Sequence, residues 1–526
     1  MIKNFLGIIL VLFSLSAFAD EVEKWGMFEL VIPGFTEGNP FIGIDLTAEF
    51  TDGERIFTPE GFYDGNGIFK IRFMPDKEGL WTYKTHSNRK ELDNIKGRFT
   101  CTPPSEGNHG PVRIRDQYHF GYADGTAFYP FGTTIYEWVF QTQETRRQTL
   151  ETLQSSPFNK VRFLLVPPYS EKYVSGPLKL TDFPFEGTSK ETWNFSRFNV
   201  DFWQHFESCL QQILDLGIEA DIILFRPYDD GKWGFDTMDD ATNDRFTRYA
   251  VARLAAFRNV WWSLANENSF LDYFTEDDWD RLFKIVRDKD PYDHLRSIHN
   301  AGLIYDYTKP WVTHVSLQYY NVVRAFGASA LVRDIYRKAV VNDEINYEGD
   351  IASRWGQLSG EEMGYRFWLA YTGGTYATHG EAFEHPSEIN WISEGGVLRG
   401  QSPSRIAFLR QIIENAPPGG WDTIDHYYLR NVIGKHAHCY LYYFGKEKIK
   451  QWEFALPDEG LKDGMQFKVD LIDTWNMTIT PVKEIFTMEK LDRYQFIDSR
   501  KRSVRLPGKP YMAMRIQRID TGDKNE

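Results

Sequence analysis

Val260-Trp261-Trp262-Ser263-Leu264-Ala265-Asn266-Glu267-Asn268 decides how the chain is read. A run suited to a buried β-strand passes directly into an amide and a carboxylate side by side, and a strand covered on both faces turns polar only where it leaves the core. The same pattern recurs at Val340-Val341-Asn342-Asp343-Glu344-Ile345-Asn346-Tyr347-Glu348-Gly349. Around these two stretches, apolar runs alternate with amphipathic helical segments such as Phe202–Leu216 and Arg245–Phe257. Strands are expected at Phe128–Gly132, Lys160–Val166, Glu219–Phe225, Val260–Ala265, Arg296–Asn300, His314–Gln318, Val340–Glu344 and Gly374–His379. Eight strand–helix steps over residues 112–420 predict an α/β fold, a (β/α)8 TIM barrel. The competitor is an open doubly wound sheet, but no G-x-G-x-x-G or phosphate-binding loop accompanies any strand.

Outward from the barrel the periodicity changes. Residues 20–102 hold short alternating runs such as Phe69-Lys70-Ile71-Arg72-Phe73, punctuated by turns at Asp64-Gly65-Asn66-Gly67 and Asp76-Lys77-Glu78-Gly79. That spacing predicts a β-sandwich. A breaker-rich linker, Thr102 to Pro111, follows it. Residues 421–519 return to short strands, including Ala437–Phe444 and Tyr511–Ile516, and predict a second β-sandwich before the polar tail 520–526. At the start, Lys3, the apolar Ile8–Leu15 and Ala17-Phe18-Ala19 read as a cleavable export signal over residues 1–19, with a mature chain from Asp20 in the periplasm or medium. The apolar run is short of a membrane span, so no membrane insertion is expected after cleavage.

Composition narrows the partners. The chain has 526 residues and a net charge of −14, which repels a phosphate backbone and excludes nucleic acid as a natural partner. Aromatic residues make up 16%, a surplus of flat amphipathic surface that suits sugar stacking. Cys101, Cys209 and Cys439 are too few and too scattered for a disulfide scaffold or a cysteine-rich zinc site. His379-Gly380-Glu381-Ala382-Phe383-Glu384-His385 is similar to a metalloprotease helix, but its histidines are six apart and do not share a helical face. His436 and His438 fall on one face of an expected strand without an acidic or thiol partner at a metal-binding spacing. No metal and no cofactor are expected, and the absence of G-x-S-x-G disfavours an esterase.

Reacting groups in a (β/α)8 barrel stand at the C-terminal ends of strands. Glu267 and Glu344 end the fourth and seventh expected strands, which face each other across the barrel mouth. Two carboxyl groups flanking a glycosidic bond can protonate the leaving oxygen and trap the sugar carbon, so Glu267 is read as acid/base and Glu344 as nucleophile. Glu348, four residues on, is the alternative nucleophile, disfavoured because it falls in the loop past the apolar run.

These residues carry a resemblance. Asn266-Glu267, a glutamate ending strand seven and Arg162 on strand two resemble the large clan of retaining (β/α)8 glycoside hydrolases. Phe225-Arg226-Pro227-Tyr228-Asp229 with Arg258–Glu267, Phe73-Met74-Pro75 with Glu78–Tyr83, Ile472–Met477 and Leu506–Tyr511 look more narrowly like bacterial barrel proteins with a DUF5060 sandwich in front and a DUF5605 domain behind. The resemblance spans nearly the whole mature chain. It implies that Asn266 bonds the hydroxyl beside the reacting carbon, that Arg162 keeps Glu344 ionised, and that Tyr319 or Tyr320 serves as the clan's strand-six tyrosine.

Position alone adds His299 and Asn300 at strand five, His379 and Glu381 at strand eight, Asp229 and Asp230 at strand three, and Trp391 in the loop beyond strand eight as substrate contacts. For the histidines a structural role is equally expected, for Asp229 a loop-capping role more so, and Trp391 is a stacking platform or loop packing. Trp261 and Trp262, adjacent on a strand, point to opposite faces and cannot both line the mouth. The reading that follows is an exported retaining glycoside hydrolase acting on an oligo- or polysaccharide; the rival is a carbohydrate-binding barrel that has lost its chemistry. Exo or endo action depends on the loop Tyr169 to Trp193.

Overall fold

Eight parallel strands form the centre of the computed structural model, which describes residues 20–168, 178, 182–187, 192–229, 231–318, 323–326, 328–386, 390–416, 420–424 and 431–519. They are β1 (Phe131–Thr134), β2 (Lys160–Leu164), β3 (Glu219–Phe225), β4 (Val260–Ala265), β5 (Arg296–Ser297), β6 (Val315–Ser316), β7 (Val340–Asn342) and β8 (Tyr376–His379). Hydrogen bonding runs in the order β5-β4-β3-β2-β1-β8-β7-β6. A parallel bridge between His299 and Ser316 joins β5 to β6 and closes the barrel. At that seam the Tyr307 hydroxyl lies 2.8 Å from the Ile298 carbonyl and 2.5 Å from that of Ser316. A (β/α)8 barrel therefore stands where the alternation of apolar runs and helices predicts one.

The helices are α1 (Gln143–Ser155), α2 (Val200–Asp215), α3 (Asp240–Leu254), α4 (Glu276–Lys289), α5 (Ala328–Tyr336), α6 (Gly360–Thr372), the one-turn α7 (Trp391–Glu394) and α8 (Ser402–Glu414). Two boundaries differ from the sequence reading for local reasons. β1 begins at Phe131 rather than Phe128, because Pro130 has no N–H to give the ladder, and Ala127–Phe128 pairs instead with His119–Tyr122 in a small antiparallel sheet. α3 begins at Asp240 rather than Arg245, because Asp239 caps it, accepting the Thr242 N–H at 2.8 Å.

The barrel is flanked by a β-sandwich on each side. The N-terminal one has a five-stranded sheet (Asp20–Glu23, Lys96–Thr102, Gly79–Ser87, Leu46–Thr51, Ile56–Phe57) and a three-stranded sheet (Phe28–Pro33, Ile68–Phe73, Phe62–Tyr63). Between them Phe28 stacks on Phe99 at 4.2 Å and Phe50 on Phe73 at 4.4 Å, burying the alternate residues that the sequence marks as apolar. A buried charge cluster docks this sandwich on the barrel. Arg72 of the sandwich pairs with Glu207 of α2 at 2.8 Å, and Arg253 of α3 pairs with Asp64 of the sandwich at 2.7 Å and with Glu207 at 2.5 Å. The C-terminal sheet, centred on Cys439–Tyr443, Met512–Arg518 and Gln466–Asp473, leans on α6, where Trp368 packs against Tyr443 at 5.2 Å. Cys101, Cys209 and Cys439 are all buried and free. Among the described residues no helix is long and apolar enough to cross a membrane.

Candidate active site

The C-terminal ends of the strands surround a cavity of about 410 Å³ lined by Tyr136, Tyr228, Asn266, Glu267, Glu344 and Tyr347, with Trp355 at its rim. The floor explains why polar residues gather here. Lys160 and Arg162 on β2 are completely buried, and Lys160 reaches Asp221 at 2.6 Å and Asp343 at 2.8 Å. Asp343 also accepts from Ser316 at 2.5 Å and Thr378 at 2.7 Å, so the residue before Glu344 anchors inside the barrel and leaves Glu344 facing the mouth.

The acid side is built by a kink. β4 is buried along its length, and Glu267, the next residue but one, takes φ 46° and ψ 50°, a left-handed conformation uncommon for a residue with a side chain. Its N–H points to His299 Nδ1 at 3.4 Å, and its carboxylate accepts from the Tyr228 hydroxyl. Tyr228 and Asn346, also on the cavity wall, have φ of 75° and 64°. Backbone strain of this kind concentrates where a side chain is aimed for function.

The two carboxyl groups differ in their partners. Burial, reinforced by the charge of Glu344, pushes Glu267 up to about 8, against weaker lowering by a hydrogen bond with Gln318 and by Arg162. Burial also raises Glu344, but three groups pull it back: a hydrogen bond from Tyr136, the positive charge of Arg162, and a hydrogen bond with Tyr347. Three groups thus favour the ionised form of Glu344, and two that of Glu267. Asn266 joins the same network, its Oδ1 3.3 Å from Tyr136 Oη and 3.3 Å from Arg162 Nη2.

Several residues singled out from sequence lie elsewhere. Arg162 sits beneath the cavity; its Nε is 3.3 Å from Asp221, and it acts on Glu344 through its charge. His299 is sealed in the barrel, held neutral by burial and by Arg162, and supports the Glu267 backbone from below. His379 is likewise sealed, stacked on Phe158 at 4.8 Å and 3.2 Å from Thr133 Oγ1. Asp229 accepts the N–H groups of Trp233 and Phe235, each at 2.8 Å, and closes its own loop. Trp391 is 1% exposed and donates its indole N–H to Thr133 at 2.8 Å, which corrects the stacking-platform reading: its ring has no open face. Asn300 is buried and holds the Gln318 N–H at 2.9 Å. Glu348 faces away from the cavity, accepting from Gln401 and Ser402 N–H groups at 2.7 and 3.0 Å. Trp261 bonds Glu219 and Trp262 bonds Asp290, so both are core and neither lines the mouth. Asp230, Tyr319, Tyr320 and most of the loop Tyr169 to Trp193 lie outside the described residues.

The tyrosines around the dyad were not found from sequence. Tyr136 follows β1 by two residues, and inspecting that strand end for polar groups, as at β4 and β7, would have marked it. Tyr228 and Tyr347 lie in loops, where spacing along the chain carries no direction.

Comparison with known proteins agrees with this architecture. The DUF5060 family, a domain of unknown function, matches residues 21–88, and the DUF5605 family, also of unknown function, matches residues 428–517. A crystal structure of a candidate glycoside hydrolase from Bacteroides vulgatus ATCC 8482 is 42% identical, covers 95% of this chain and 100% of its own, and superposes with a TM-score of 0.90. A family 5 glycoside hydrolase from the same organism shares the fold at 11% identity and a TM-score of 0.55, over 79% of this chain and 94% of its own. No curated protein matches the chain.

Proposed function

The chain belongs to the bacterial glycoside hydrolases in which a (β/α)8 barrel stands between DUF5060 and DUF5605 domains, and from that premise we propose that it is an exported, retaining enzyme that cleaves an oligo- or polysaccharide by double displacement. One observation carries the reading: two carboxyl groups line the same cavity, each feels burial and one the other's charge, and neither is in a salt bridge among the described residues. Asp343, the buried acid next to Glu344, is by contrast paired with Lys160. A barrel that only bound sugar would have no use for leaving this pair unneutralised.

In the proposed cycle Glu344 attacks the anomeric carbon as its bond to the leaving oxygen breaks, and Glu267 delivers its proton to that oxygen. A water molecule then gives a proton back to Glu267 and its oxygen to the anomeric carbon, releasing Glu344 with the configuration retained. Asn266 is placed to bond a hydroxyl beside the reacting carbon, and Tyr136 and Tyr347 hold the Glu344 carboxylate. The acid-lined cavity, which also includes Glu137, favours a neutral glycan over a sulfated or uronate-rich one. Export rests on the signal pattern of residues 1–19 and is checked by finding the mature N-terminus at Asp20.

The deciding experiment offers a panel of plant and algal oligosaccharides to the wild type and to Glu344→Gln, following the product anomer by NMR. The wild type is expected to cut at least one glycan with retention, and the variant to lose about two orders of magnitude or more in rate. Equal rates in both refute the nucleophile assignment, binding without cleavage by the wild type supports the carbohydrate-binding alternative, and an inverted product refutes double displacement.

A further inference from the structure

Behind the nucleophile loop, away from the cavity, Glu348, His379 and Glu381 bring two carboxylate oxygens and an imidazole nitrogen within 4.8 Å of one another, all buried. Glu348 and Glu381 lie side by side on a two-strand parallel pairing of Glu348–Gly349 with Glu381–Ala382. Both carboxylates point at the loop leading into α8. Glu381 accepts from the N–H groups of Arg399 at 2.5 Å and Gly400 at 2.9 Å, while Glu348 accepts from those of Gln401 and Ser402. Gly400 is required by this approach: a Cβ there would stand 2.4 Å from Glu348 Oε2 and 2.6 Å from Glu381 Oε2.

The backbone leading into the α8 N-terminus accounts for one hydrogen bond at each of the four carboxylate oxygens. It does not account for the imidazole. His379 is 0% exposed, its Nδ1 faces Thr133 Oγ1, and its Nε2 has no hydrogen-bond partner although it is directed to Glu381 Oε2, 3.9 Å away. An unsatisfied buried imidazole nitrogen next to two acids, neither of which meets a lysine or arginine within ion-pair distance among the described residues, is a costly arrangement unless something positive sits between them.

We propose that Glu348, His379 and Glu381 form a site for a divalent transition-metal ion of the zinc type, which braces the loop carrying Tyr347 and Glu348 against β8 and α8. Mixed imidazole and carboxylate donors suit zinc better than calcium, which prefers oxygen alone. Zinc–ligand bonds of about 2.0–2.2 Å require the three donors, which now lie within 4.8 Å of one another, to draw in around the ion. The Thr133 hydroxyl, which also receives the Trp391 N–H at 2.8 Å, fixes the outer nitrogen of the imidazole in the way that outer partners orient metal-bound histidines.

The test uses the untagged full chain, purified without chelator and analysed for metal by mass spectrometry. The chain is then stripped with EDTA and titrated with ZnCl2 or CaCl2 while thermal unfolding is followed. About one zinc per chain is expected, with a melting midpoint that rises with free zinc. Both are expected to be lost in Glu381→Gln and His379→Gln, with the far-ultraviolet circular dichroism of the variants unchanged. Wild-type chain that neither carries metal nor responds to either salt overturns the proposal. A response to CaCl2 alone, or zinc bound equally by wild type and both variants, also overturns it. The metal content of the wild type decides the question even where a variant does not fold.

Discussion

Lys160 and Asp343 form a 2.8 Å ion pair from which solvent is wholly excluded, and Asp343 is the residue immediately before Glu344. The floor of the barrel thereby dictates which acid of that strand end reaches the mouth. Removing one partner would strand a charge in the interior. Lys160→Met is expected to lower stability by about 3–5 kcal/mol, because Asp343 and Asp221 would both lose their lysine. Urea unfolding of the variant against the wild type measures it; a loss below about 1 kcal/mol, the range of an exposed pair, would contradict the role given to this cluster.

The dyad predicts a bell-shaped pH profile for kcat/KM. Activity needs Glu344 ionised and Glu267 protonated, so it falls on the alkaline side as pH rises through about 8, where Glu267 loses its proton, and on the acid side as Glu344 gains one. Tyr136→Phe removes a donor to the Glu344 carboxylate, making that group harder to ionise. The acid limb of the variant is expected at higher pH, with the alkaline limb in place. A profile whose acid limb stays where the wild type has it would show that Tyr136 does not tune Glu344.

Two buried acids outside the dyad contribute to how stability depends on pH. Burial pushes Glu219, which accepts the Trp261 indole N–H at 2.8 Å, up to about 8 and Glu394 up to about 7. In the unfolded chain both lose their protons near the ordinary value of about 4.3. Between those limits the native state binds more protons than the unfolded one, so stability falls as pH rises from about 4.5 to 8. Glu219→Gln, which keeps an acceptor for Trp261, is expected to flatten that slope in calorimetric melts from pH 5 to 8.

Arg253 ties the N-terminal sandwich to the barrel through Asp64 and Glu207, and donates to Tyr249 at 3.0 Å. Arg253→Met leaves two buried carboxylates with fewer partners and is expected to cost about 3–5 kcal/mol. The same change should release the sandwich for limited proteolysis in the linker 102–111. A variant as protease-resistant as the wild type would mean that apolar packing alone holds the two units together.

Much of this molecule was legible one residue at a time. Apolar runs with a period of two, helical runs between them and glycine-rich turns are local consequences of burial on one or both faces, and they gave the barrel, its two flanking sandwiches and the acids ending β4 and β7. Pro130 and Asp239 show the limits of that reading even locally: a missing donor and a cap moved two boundaries that periodicity had placed elsewhere.

What the sequence determined by itself is the set of strand ends and the residue types standing on them, because side-chain alternation and hydropathy are properties of neighbours along the chain. Only the tertiary structure decided that Asp343 turns inward and Glu344 outward, that Tyr136 and Tyr228 take hold of the two acids, and that Glu348 leaves the cavity to meet Glu381 and His379. Those outcomes depend on which charges meet across the barrel and what dielectric surrounds them, and both are set by residues distant along the chain, 39 positions apart for Tyr228 and Glu267 and 208 for Tyr136 and Glu344.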